Sequence, residues 1–92
     1  MTKELKRLES ILKKHEVNEN KRAVVLVYLS VVMLGKKFGS VAKYFGIPEV
    51  KVETSVAILH QKLNDPKDRS FYLQMHEVMK EYLNKNQLKL VA

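Results

Sequence analysis

The sequence predicts an all-α fold of four to five helices, and three observations carry that prediction. Apolar residues recur at three- and four-residue spacing in several separate stretches, the pattern of amphipathic helices. One stretch, rich in valine, would also suit a central strand, but no other segment offers it a convincing partner. Glycines stand where two of the helical patterns stop, at Gly35 and Gly46.

Residues 2–15 read as an amphipathic helix in which Leu5, Leu8, Ile11 and Leu12 share a face while Lys3, Lys6, Lys13 and Lys14 fall elsewhere. Thr2 can cap it. Its basic polar side leaves three roles open: packing on the rest of the chain, pairing with a second copy, or lying across phosphates. Packing is the default. The segment Glu16 to Asn20 breaks the pattern, and Asn18 or Asn20 suits the N-cap of the next helix. Residues 21–34 are apolar almost all round, so this helix should have neighbours on most sides and act as the hub.

Residues 38–63 are expected to form a helix-turn-helix around Gly46, because a corner between two helices often needs positive φ, which glycine adopts without strain. Gly39 or Ser40 can cap its first helix, with Val41 and Phe45 facing inward. The second helix places Val52, Val56, Leu59 and Leu63 on one face, with His60 in the apolar register as a partly buried core histidine. Its start is open: Pro48 suits a first helical turn, yet Val50 and Val52 alternate as in an extended segment, so it begins near Pro48 or near Glu53. It should end by Asn64, since Asp65 precedes Pro66. Asp68 is expected to cap a last helix, 68–84, striped by Phe71, Met75, Val78, Met79 and Leu83. The end beyond Asn84 is polar with a short apolar close, Leu88, Leu90 and Val91. The whole of 1–92 reads as a single helical domain.

Composition narrows the function. Seventeen Lys and Arg against ten Asp and Glu leave a net charge of +7, which favours polyanionic partners such as nucleic acid. Residues 1–22 and 36–62 carry most of that excess. There is no cysteine, which removes disulfides and thiolate metal sites, and His15, His60 and His76 lack the spacing of a helical metal site. No metal or cofactor is expected. The apolar run from Ala23 to Leu34 is far shorter than the ~20 residues a membrane span needs, and the N-terminus has no secretory pattern, so a cytoplasmic location is expected. No nucleophile, base and orienting group are discernible as a set, which argues against an enzyme.

Several residues occur in a familiar order. Tyr28 and Leu29 stand in the buried helix, Phe38 and Val41 follow, then Phe45-Gly46, then Thr54-Ser55-Val56, and finally Lys62-Leu63. This order resembles the C-terminal DNA-binding domain of the bacterial replication initiator DnaA, a Trp-repressor-like helix-turn-helix family. The resemblance covers roughly residues 21–63. The stretch from Ile47 to Glu53 is longer than the family's turn, and Lys51-Val52-Glu53 stands where the family has Arg-Asp-His.

The resemblance implies a small sequence-preferring DNA-binding protein, a transcription or replication regulator, that inserts the helix after Gly46 in the major groove of double-stranded DNA. Thr54 and Ser55 would reach bases or phosphates from the start of that helix, with Lys51 and Gln61 on its exposed side. Lys21, Arg22, Lys36, Lys37 and Lys43 would contact the backbone. A homodimer is expected, because one short recognition helix buries little surface. Each feature also has a plainer reading: Thr54 and Ser55 as caps, the lysines as a solvated face, and the chain as a helical adaptor for protein partners.

Overall fold

The computed structural model describes residues 2–91, with side chains described for residues 3–84. The cap expected from Thr2 and the apolar close at Leu88, Leu90 and Val91 lie outside the described side chains. Five α-helices follow one another: α1 (Thr2–Lys14), α2 (Glu19–Val32), α3 (Phe38–Phe45), α4 (Glu49–Leu63) and α5 (Arg69–Val91), with a short 3₁₀ turn at Pro66–Asp68 leading into α5. No strand occurs among the described residues, and the fold is all-α.

Helix α1 spends its whole apolar stripe on packing. Leu5, Leu8, Ile11 and Leu12 are all buried, and each contributes roughly 1.5–3 kcal/mol by leaving water. The guanidinium of Arg7 lies 4.8 Å from the centre of the Tyr82 ring and donates to the Tyr82 carbonyl at 3.2 Å, fastening α1 to α5. Helix α1 closes with the Val17 N–H donating to the Leu12 carbonyl and Glu16 N–H to Lys13, the paired bonds of a Schellman turn. The left-handed residue that this turn requires is Glu16, with φ +59°.

Asn18 is the N-cap of α2, its side chain accepting from the Asn20 N–H at 2.9 Å. Val25 to Ser30 are all buried, including the Ser30 hydroxyl, which is satisfied by donating to the Leu26 carbonyl at 2.7 Å. Helix α2 packs against α1, α3 and α4, as a hub should. Its ends are open, however: Ala23, Val24 and Val32 are exposed, so the apolar character of the run exceeds what the fold buries.

Two apolar clusters result. The larger joins α1, the inner face of α2, Leu59 of α4 and the stripe Phe71, Met75, Val78 and Tyr82 of α5. The smaller holds Val27, Val41, Ala42 and Val52, with Phe38 and Ile47 packed on it, and Phe45 touches both.

Four expectations are corrected. The fourth contact of α5 is Tyr82, and Leu83 is exposed, because a straight helix returns to the same face at eleven residues from Phe71. His60 is exposed, since Leu59 takes the core position one residue earlier. Asp65 caps the last corner, its carboxylate accepting from the Lys67 N–H at 3.0 Å; Asp68 instead lies inside the 3₁₀ turn. Neither Gly39 nor Ser40 caps α3, which begins at Phe38 with Lys37 in the cap position and no side-chain bond.

Candidate functional site

Helices α3 and α4 meet at Gly46, Ile47 and Pro48. Gly46 has φ +65°, and the Ile47 N–H donates to the Ala42 carbonyl at 3.0 Å while Gly46 N–H donates to Lys43, again a Schellman turn. Ile47 then packs on the smaller cluster, fixing the angle between the helices. Pro48 occupies the N-cap of α4 in extended geometry, so α4 starts at Glu49. The alternative start near Glu53 is set aside, and most of the stretch from Ile47 to Glu53 is helical.

That start decides which side chains face out. Val52 and Leu59 are buried, which fixes the inner line of α4, and the opposite line carries Val50, Thr54, Ala57, Ile58 and Gln61, all exposed and none charged. Val50 is 63% and Ile58 54% exposed. From Val50 to Gln61 this strip runs about 16 Å at the rise of a helix. Thr54 stands in the second turn of α4 rather than at its start; its hydroxyl donates to the Val50 carbonyl at 2.8 Å. Thr54 and Ser55 therefore do not act together: Thr54 faces out, whereas Ser55 is half-buried and lines a groove towards α2.

That groove, about 300 Å³ in volume, is floored by Val24, Val27, Phe45 and Ile47, with Lys51 and Ser55 on the α4 side. The acidic residues lie on the other flank. Both carboxylate oxygens of Glu49 stand 4.0 Å from where a side chain at Gly39 would begin, beside the first turn of α3, whose positive end lacks a side-chain cap. Glu53 shares that flank and is exposed.

Two pairs of basic residues stand at opposite ends of α2, which is about 21 Å long, with Lys43 apart in the last turn of α3. Lys36 is half-buried and Lys37 exposed in the link to α3, and Lys43 is exposed on α3. At the other end, Lys21 is exposed and Arg22 half-buried, the Arg22 Nε being enclosed without a hydrogen-bond partner among the described residues. Lys62, at the C-terminal end of α4, joins Lys21 over the Phe71 ring: the ammonium groups lie 5.2 and 5.9 Å from its centre. The Lys62 ammonium, foremost, holds the Lys21 amine below its ordinary pKa, with Asp68 acting in the opposite sense.

Sequence reasoning missed Val50, Ile58 and Lys62. Val50 and Ile58 look like core residues in an apolar stretch; Val50 joins the helix only because it starts at Glu49, and Ile58 lies off the buried line of Val52 and Leu59. Lys62 enters from the sequence only as part of the Lys62-Leu63 step in the family order, because its neighbour Lys21 is distant in sequence. No group of three metal-capable side chains occurs among the described residues, and no helix among them is long and apolar enough to cross a membrane. Comparisons with protein-family models, with characterised proteins and with solved structures return no match.

Proposed function

We propose that this chain is a small sequence-preferring DNA-binding protein of the cytoplasm, a regulator of transcription or replication, which lays the outer strip of α4 in the major groove. One observation carries the reading: the exposed strip Val50, Thr54, Ala57, Ile58 and Gln61 is uncharged, with Lys51 and Lys62 along one flank, Lys21 beside Lys62 at its end, and Glu49 and Glu53 confined to the other flank. An α-helix fits the major groove, where Thr54 and Gln61 can bond base edges and Val50, Ala57 and Ile58 can meet thymine methyls. The lysines supply backbone contacts that position without reading sequence. Kinship with the DNA-binding domain of DnaA-type initiators belongs to the same proposal and rests on Tyr28-Leu29, Phe45-Gly46 and Thr54-Ser55-Val56.

A homodimer is part of the proposal. The stripe of α1 is consumed by the core, which leaves the flank of α5 formed by Tyr72, His76, Met79 and Leu83 as the pairing surface. Light scattering across a concentration series tests this; a monomer throughout would remove it.

The exposure of Val50 and Ile58 favours a second reading, a helical adaptor that takes a protein partner on the same strip. Titration of a random duplex at two salt concentrations separates the two. Several phosphate contacts make log affinity fall linearly with log salt, with a slope near −0.9 per phosphate. Lys51→Ala should weaken binding and flatten that slope, and Thr54→Ala should act on preferred sites more than on random duplex. No retention of duplex at low salt would eliminate the DNA reading and leave the adaptor.

A further inference from the structure

We propose that Lys21 and Lys62, held together over Phe71, form a seat for one phosphoryl oxyanion. In the reading above, on which this assignment of its occupant rests, that group is a phosphate of the DNA backbone. Lys21 comes from the first turn of α2 and Lys62 from the last turn of α4, so the fold, not sequence adjacency, brings them together. Both ammonium groups lie within 6 Å of the centre of one aromatic ring. The ring is itself nearly buried, at 9% exposure, and is anchored in the larger cluster.

Two like charges side by side repel, and the aromatic face offsets that only in part. The depressed pKa of Lys21 marks the residual repulsion. The groups acting on Lys21 are Lys62, which disfavours its charged form, and Asp68, which favours it. Asp68 is a single carboxylate against two ammonium groups, so the pair keeps a net positive charge. A doubly charged or diester phosphate between the two amines accepts from both and relieves the repulsion. Its oxygens take up the several donors that two ammonium groups offer.

The seat differs from the other basic groups in this respect. Lys37 and Lys43 are exposed and Lys36 half-buried, and among the described residues none of the three shares an aromatic ring with a second ammonium group, so each can neutralise a phosphate of its own. Lys21 and Lys62 must share one.

The test is an NMR titration of the Lys21 side chain in the intact chain and in its Lys62→Met variant, in sodium chloride and in sodium phosphate at matched ionic strength. In the parent, Lys21 should titrate below its ordinary value in chloride, and phosphate should raise it towards that value. Lys62→Met keeps the apolar stem against Phe71 and removes the charge. It should restore the Lys21 value in chloride and abolish the phosphate response, whereas Asp68→Asn should strengthen that response. If phosphate moves Lys21 no more in the parent than in the Lys62→Met variant, the seat is overturned.

A duplex titration then separates the occupants. The double variant Lys21→Gln with Lys62→Met should lower duplex affinity several-fold and reduce the salt slope by about one unit, where two independent contacts would lose about two. A loss near two units overturns the shared seat. A phosphate response in a chain that holds no duplex keeps the seat, for a free phosphate ester, and removes the DNA reading instead.

Discussion

The two apolar clusters do different work. The larger one, built from α1, α2 and α5 with Leu59, contains bulky leucines, aromatics and Met75, and it is reinforced by Arg7 on Tyr82 and by the link between α1 and Glu81. The smaller one is made of Val27, Val41, Ala42 and Val52, and it sits where α2, α3 and α4 meet. Stability resides chiefly in the first and geometry in the second. The same contrast shows in their Schellman turns: the one closing α3 has Gly46 at its left-handed position, while the one closing α1 tolerates Glu16 there.

The largest effect should come from Leu8→Ala, which empties a fully buried site and should cost about 2–5 kcal/mol in denaturant unfolding. Amide exchange should then quicken throughout the molecule. Val41→Ala removes less volume and should cost about 1–3 kcal/mol. Its amides should loosen first in α3 and the opening turns of α4, with α1 and α5 still protected. Equal loosening everywhere would mean that the clusters are one unit, and the contrast between them would fail.

Gly46→Ala comes next. Nothing lies within 4 Å of the added methyl group, so the cost is the left-handed backbone alone, about 1–2 kcal/mol. At the corresponding position in the larger half, Glu16→Gly should raise stability by up to about 1 kcal/mol. Thermal melts of the two variants should move in opposite directions. If Glu16→Gly destabilises, the side chain of Glu16 contributes more than its backbone costs.

The smallest predicted effect is a pH dependence confined to the larger half. The Lys14 ammonium, donating to the Glu81 carboxylate at 3.1 Å, is the main cause that holds its pKa down; partial burial opposes this, and His15 at 3.3 Å from the same oxygen adds to it. A carboxyl lowered in the fold stabilises above its ordinary value of 4.5 and loses that contribution as pH falls through the lowered value. Glu81→Gln should therefore flatten the acid side of the stability profile. An unchanged profile would show that Lys14 and His15 do not act on Glu81 in solution.

Much of this architecture could be read from residue spacing, because burial follows period. Leu5, Leu8, Ile11 and Leu12 recur at helical intervals and all enter the core; Asn18 sits where a cap is needed, and Gly46 where the chain must turn left-handed. The errors occur where period is ambiguous. In α4 valines and an isoleucine occupy both inner and outer lines, so Val50 could be assigned only with the helix starting at Glu49, whereas Ile58 lies off the buried line of Val52 and Leu59 from either start. His60 and Leu83 each lie one residue from the buried position, within the angular width that an apolar face allows. The meeting of Lys21 and Lys62 depends on α2 and α4 packing side by side, and local patterning carries no trace of such a contact.

The central claim is that the geometric half of the molecule presents the outer strip of α4 and its flanking lysines to DNA. Mapping backbone amide shifts on adding a short random duplex tests it most directly. The largest shifts should fall on Val50, Thr54, Ala57, Ile58 and Gln61, with further shifts at Lys21, Lys37 and Lys62, and they should fade as salt rises. Shifts centred on Tyr72, His76 and Leu83 of α5, with α4 unmoved, would contradict it.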